Sequence, residues 1–158
     1  MLRRENNSLT LIHFNYIMNM KKIIFIILFV VCQVSLFAQK QDTIKTKSGL
    51  KYVQIKPGTG KKAVDGQKLK VFYTGKLMDG KVFESNASDS PFKFTLGKKE
   101  VIPGWDEGFK LMSAGEKGVF IIPSKLAYGK YGSKDEEGNY TIPPNTDLIF
   151  EVELVSVK

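Results

Sequence analysis

The chain has 158 residues, with 24 basic against 16 acidic side chains and a net charge of +8. That length suits one domain plus a targeting segment, and the apolar (42%) and charged (25%) fractions are those of an ordinary folded globular protein. No uninterrupted apolar run reaches the roughly 18 residues of a spanning helix.

Residues 1–19 precede an alternative start at Met20 or Met18 and are set aside as a mis-called upstream stretch. Residues 20–38 have the order of a secretion signal: a basic pair, Lys21-Lys22, an apolar stretch at 23–31, then Ser35-Leu36-Phe37-Ala38 ending on a small residue. Cleavage after Ala38 is expected, giving a mature chain that begins at Gln39 and an exported, periplasmic protein. Cys32 follows the apolar stretch, where a lipid-modified cysteine would stand. Val31 is not the small residue such a site wants, so loss of Cys32 with the leader is preferred to a lipid anchor.

This subtraction decides much of the chemistry. The only histidine, His13, and the only cysteine, Cys32, both precede Gln39. The mature chain therefore lacks disulfides, thiol nucleophiles and histidine general acid–base groups. It also lacks Cys or His ligands for a structural zinc, and a serine nucleophile would lack its usual base. No metal and no cofactor is expected. Residues 1–38 carry four of the basic residues and one acidic residue, and their removal leaves a net charge of about +5, all of its positive part from lysine. Arginine, the preferred reader of bases and phosphates, is absent there, so the lysines read as a solvated surface rather than a nucleic-acid interface.

Residues 39–49 form a polar, lysine-rich lead-in, extended at Thr43-Ile44-Lys45-Thr46 as a candidate edge strand. The domain proper is expected over 50–158. Residues 50–55 alternate with the strand period, and Pro57-Gly58-Thr59-Gly60 breaks them as a turn. Its glycines lack the spacing of a phosphate loop. Residues 67–78 form a second strand, with Val71 and Tyr73 on one face and Phe72 and Thr74 on the other. Asp79-Gly80 marks a hairpin, and residues 81–85 return. A polar loop at 86–90 leads to an alternating segment at 91–96.

Pro103 then reads as a first-turn proline. Trp105, Phe109 and Met112 follow at helical spacing, with Asp106 and Glu107 near the N-terminal end and Gly115 as the expected stop. Residues 117–122 form a strand closed by Pro123, and residues 127–140 form a loop. Residues 147–157 form a long strand with Leu148, Phe150, Val152, Leu154 and Ser156 on one face. The sum is an α+β domain, about five antiparallel strands with one short α-helix.

Tyr73, Phe83, Phe92, Phe94, Trp105, Tyr128 and Phe150 recur inside or beside these elements. Core packing accounts for any one of them. A cluster containing Trp and Tyr, whose polar tips need partners, also suits the lining of a pocket. The stretches Val71-Phe72-Tyr73-Thr74-Gly75 and Asp79-Gly80-Lys81-Val82-Phe83-Glu84-Ser85 resemble a signature of the FKBP-type peptidyl-prolyl cis/trans isomerases. Pro91-Phe92-Lys93-Phe94-Thr95-Leu96-Gly97 and Val101-Ile102-Pro103-Gly104-Trp105-Asp106-Glu107-Gly108 continue in that family's order. So do Leu126-Ala127-Tyr128-Gly129, Ile142-Pro143-Pro144-Asn145 and Leu148-Ile149-Phe150-Glu151-Val152-Glu153-Leu154. The resemblance runs from about residue 50 to residue 157.

It implies a half-barrel of antiparallel strands wrapped around the helix, with a substrate proline ring entering between them. Trp105 would be the floor, and Tyr73, Phe83, Phe92, Val101, Ile102 and Phe150 the walls. Tyr128 and the Ile102 N–H would donate hydrogen bonds to substrate, Ile142 would lie on the rim, and Glu84 with Tyr73 would form a polar edge. The implied partners are proline-containing segments of exported proteins and macrolide immunosuppressant-type ligands.

Three features depart from the family pattern. Glu84 stands where the family usually has aspartate. The 86–90 loop is one residue shorter than in well-known members and lacks their arginine, so a carboxylate–arginine–tyrosine network is not expected. The 128–142 segment is longer and carries Asp135-Glu136-Glu137. The leading reading is an exported prolyl isomerase, monomeric because no long helical extension is present. The competing reading is a low-activity FKBP-like peptide-binding or chaperone module, which would keep peptide affinity without accelerating isomerisation.

Overall fold

The computed structural model describes residues 43–158, together with Tyr16, Met18 and Met20, and divides the chain into two units, Met1–Lys40 and Gln41–Lys158. The three early positions are helical. The expected leader, its cleavage point and Cys32 otherwise lie outside the described residues. No described helix is long and apolar enough to cross a membrane.

The second unit carries the fold. It begins with β1 (Thr43–Lys45), β2 (Lys51–Lys56), β3 (Lys68–Leu77), β4 (Val82–Ser85) and β5 (Phe92–Thr95). Helix α1 (Pro103–Gly108) follows, with a 3₁₀ turn at Phe109–Leu111. Then come β6 (Lys117–Ile122), β7 (Ser133–Lys134), β8 (Tyr140–Ile142) and β9 (Leu148–Val157). The main sheet is antiparallel throughout and ordered β1-β2-β6-β9-β3-β4, with β5 also on β3. It has seven strands rather than about five. The difference lies in short pieces: a three-residue edge strand, and β4 and β5, which share one edge of β3.

Side-chain alternation assigns the faces. On β9, Leu148, Phe150, Val152 and Leu154 are buried, while Glu151 and Val155 are exposed. On β6, Phe120 and Ile122 are buried, and on β3 Leu69 and Val71 are buried. These residues pack in one core with Trp105 of α1 and Phe109 of the 3₁₀ turn.

The helix is shorter than the spacing of Trp105, Phe109 and Met112 suggests. Two of its six residues are glycine, which costs about 1 kcal/mol each relative to alanine. Packing requires both. A Cβ on Gly104 would stand 2.4 Å from Ile122 Cγ2, and one on Gly108 would stand 2.8 Å from the Phe120 ring. The helix backbone therefore lies directly on β6, held by tertiary contact rather than propensity. It tightens into the 3₁₀ turn and ends at Met112, which is extended. Gly115, the expected stop, instead takes φ +85° in the turn before β6. A second correction concerns residues 127–140. That stretch is not wholly loop, because β7 and β8 pair into a small separate hairpin across it.

Candidate functional site

The site forms where the sheet is interrupted. Strand β3 pairs with β5 along Lys68–Val71 and with β4 along Thr74–Lys76, leaving Phe72 and Tyr73 between them on that edge. Asn86 fills the gap. Its Oδ1 accepts from the Tyr73 N–H at 2.7 Å, its Nδ2 donates to the Val71 carbonyl at 3.1 Å, and its own N–H donates to the Tyr73 carbonyl. A loop residue thus satisfies strand groups that would otherwise be orphaned. Sequence reasoning did not single out Asn86. The available signal was an asparagine leaving a strand, a residue type that readily bonds nearby backbone.

A second irregularity shapes β4. Gly75 pairs with Glu84 and Lys76 with Val82, so Phe83 is an extra residue in a β-bulge. Strict alternation would send Phe83 and Glu84 to opposite faces. With the bulge, Glu84 lines the cavity while Phe83 packs edge-on against Phe150, ring centres 5.6 Å apart. Gly75 makes room, since a Cβ there would stand 2.6 Å from the Phe83 ring and 2.9 Å from that of Phe150.

Eight residues line the resulting cavity of about 160 Å³: Tyr73, Glu84, Phe92, Val101, Ile102, Trp105, Tyr128 and Phe150. All eight are sequence-predicted site residues. The volume is below that of a drug-sized site and suits a small ring with the rest of its ligand outside. Phe83 stands behind this lining, against Phe150. Ile142, expected on the rim, is buried in the core at 2% exposure. Larger grooves exist on the outer face of the sheet, about 400 Å³ beside Phe72 and Val119, and along Lys68, Lys70 and Lys93, about 480 Å³. Neither has an aromatic floor with convergent polar groups.

Trp105 is the centre of the aromatic cluster. Its ring lies edge-on to Tyr73 (4.9 Å), Phe150 (5.3 Å), Phe109 (5.4 Å) and Phe92 (6.2 Å), contacts worth about 0.5–1.5 kcal/mol each beyond area burial. Its indole Nε1 is buried without an acceptor among the described residues. The segment carrying Val101 and Ile102 is tied to the helix by Asp106, which accepts from the N–H groups of Gly97 (2.8 Å) and Lys99 (3.1 Å).

The polar groups fall into two kinds. Tyr73 is engaged, its hydroxyl donating to Glu84 Oε1 at 2.7 Å. The Ile102 N–H and the Tyr128 hydroxyl make no hydrogen bond among the described residues. Desolvation raises the pKa of Tyr73, and its bond to Glu84 raises it further. Desolvation and the charge of Glu84 raise that of Tyr128. Both phenols therefore remain donors through neutral and moderately alkaline pH. No cluster of three or more metal-ligating side chains occurs among the described residues.

An antiparallel sheet curled over one glycine-faced helix, with a small aromatic cavity at their junction, defines a half-barrel of the FKBP kind. The model of the FKBP-type peptidyl-prolyl cis-trans isomerases matches residues 59–155, and this chain belongs to that family. It is similar to the peptidyl-prolyl cis-trans isomerase Fkbp12 of Drosophila melanogaster, 45% identical over 112 residues that cover 70% of this chain and 99% of that protein. It is similar also to FK506-binding protein 4 of Rhizopus delemar, 45% identical over 114 residues, 72% of this chain. The chain spans only 28% of that relative's length. Among solved structures, a peptidyl-prolyl cis-trans isomerase from Pseudomonas syringae pv. tomato aligns with a TM-score of 0.65 at 35% identity, over 77% of this chain and 84% of the other.

Proposed function

We propose that this chain is a prolyl isomerase that accelerates cis/trans isomerisation of X–Pro bonds in exported proteins. One observation carries the reading: an aromatic cavity of ring size is lined by two hydrogen-bond donors, the Ile102 N–H and the Tyr128 hydroxyl, that no acceptor among the described residues uses. A proline ring fits the apolar space over Trp105, and the carbonyl groups flanking it answer the two donors.

The chemistry needs nothing more reactive. Amide resonance holds the X–Pro bond behind a barrier of about 18–20 kcal/mol. In the twisted transition state that resonance is lost, and with it the charge separation between carbonyl oxygen and nitrogen. A dry cavity walled by Tyr73, Phe92, Val101 and Phe150 favours this less polar state over the planar ground state. Hydrogen bonds from Tyr128 and Ile102 hold the flanking chain while the bond turns. No covalent step occurs, which is consistent with a chain that has no histidine or cysteine in residues 43–158. Macrolide ligands of the immunosuppressant type would compete for the same space.

Export is part of the proposal and rests on the sequence of residues 20–38, cleaved after Ala38 to release a soluble monomer. The test is an isomerisation assay on a proline tetrapeptide, with Tyr128→Phe and Trp105→Leu as controls. Acceleration that both substitutions weaken supports the reading. Retained peptide affinity without acceleration would replace it with a binding or chaperone module. Mass determination of the exported protein separates cleavage after Ala38 from lipidation at Cys32.

A further inference from the structure

Among the described residues, Glu84 is the only formally charged side chain lining the cavity. The bulge at Phe83 turns it there. Its Oε1 accepts from Tyr73, while its second oxygen, Oε2, makes no hydrogen bond among the described residues. The ion pairs among the described residues are Lys76–Glu151, Lys110–Asp65 and Lys117–Glu153, so none neutralises Glu84. No arginine occurs in residues 43–158 that could reach it. The adjoining groove, which shares Tyr73 and Phe92 with the cavity, carries one charge of each sign, Asp89 and Lys93, and so brings no net compensation.

The carboxylate is felt inside the cavity, where it contributes to the raised pKa of both Tyr73 and Tyr128. A neutral donor from a ligand could occupy Oε2, but it would leave the charge uncompensated. A ligand ammonium or guanidinium would satisfy both the lone pairs and the charge. The setting is unusual for a protein whose residues 39–158 carry a net charge of about +5. The cavity is an anionic spot on a cationic molecule, so a substrate cation is drawn to the site and repelled elsewhere.

We propose that Glu84 selects substrates with a lysine or arginine adjacent to the proline, the substrate's cation binding the free Oε2 and completing the polar edge of the cavity. This rests on the prolyl-isomerase reading and names the substrate class for it. Asp135, Glu136 and Glu137 in the β7–β8 connection carry the same sign and are not required by the argument.

The test uses the full-length protein and two peptide series. In one, the residue before proline is lysine, norleucine or glutamate. In the other, the residue after proline is varied in the same way. The expected result is a kcat/KM for lysine about tenfold above that for glutamate in at least one series at low salt. At about 1 M salt the ratio should shrink to about twofold, because an exposed pair is screened. In Glu84→Gln the low-salt ratio should fall to within about twofold, whatever the variant does to the norleucine rate. Wild-type ratios within twofold in both series would overturn the proposal. So would a salt-insensitive ratio, or one that survives Glu84→Gln. If no peptide is isomerised faster than in buffer, the isomerase reading fails instead. The same ratios are then read as dissociation constants from the fluorescence of Trp105, the only tryptophan in the chain, by the same criteria.

Discussion

Two glutamates of this fold each accept a hydrogen bond from a tyrosine hydroxyl, yet they do opposite things. Glu116, only 3% exposed, takes the Tyr52 hydroxyl and Gln54 Nε2 (2.7 Å) on Oε1 and the Ser113 N–H (2.8 Å) on Oε2. Both of its oxygens are used, and it joins β2 to the turn before β6. Glu84 is exposed, takes one donor and leaves an oxygen open at the cavity. A carboxylate that the protein satisfies fully is a structural node. One satisfied by half, beside an apolar cavity, is available to a ligand.

The largest expected break in this comparison comes from Glu116→Ala. It strands the buried Tyr52 hydroxyl and Ser113 N–H, at about 1–3 kcal/mol for each unsatisfied group, so a loss of roughly 3 kcal/mol is expected in urea unfolding. Glu84→Ala, at the exposed site, should cost less than about 0.5 kcal/mol in the same measurement. Next comes Asn86→Ala. It removes the bonds that close the gap between β4 and β5 and should cost about 1–2 kcal/mol. It should also lower kcat/KM about tenfold, because the strand carrying Tyr73 loosens.

The tyrosines sharpen the contrast. Tyr52→Phe should destabilise by about 1 kcal/mol and Tyr73→Phe by less, since the partner of Tyr73 keeps its access to water. Alkaline pH reads the same difference. Burial, then the bond to Glu116, raises the pKa of Tyr52, and desolvation raises those of Tyr73 and Tyr128. An unfolded tyrosine ionises near about pH 10. Their contribution is therefore intact below about pH 10 and is lost as the pH climbs towards the raised folded values. Melting temperature should hold steady from about pH 7 to 9 and fall above about pH 10, less steeply in Tyr52→Phe. The smallest effect is on the pH–rate profile. With no histidine or cysteine in residues 43–158, kcat/KM should vary less than about twofold between about pH 6 and 9.

Much of this was legible in the sequence. Alternation placed β2, β3, β6 and β9 within a residue or two, and Asp79-Gly80 placed the hairpin. Ordered motifs identified all eight residues that line the cavity. What escaped depends on partners distant in sequence. Nothing around Glu116 says that Tyr52, 64 positions earlier, lies against it. The bulge at Phe83 breaks the very alternation from which strands are read. The helix stopped early because β6 requires glycine at Gly104 and Gly108, a demand made by residues beyond the local window. Ile142, which the family resemblance put on the rim, lies in the core cluster at 2% exposure, a burial set by residues distant in sequence.

The pair Gly104 and Gly108 sets the elevation of the cavity floor. Trp105 sits between them on a helix that rests against Phe120 and Ile122 with no side chain intervening. The depth available to a ring is thus governed by two missing methyl groups on the hidden side of the helix. A methyl added there would shim the tryptophan upward and shallow the cavity without altering any atom that a ligand touches.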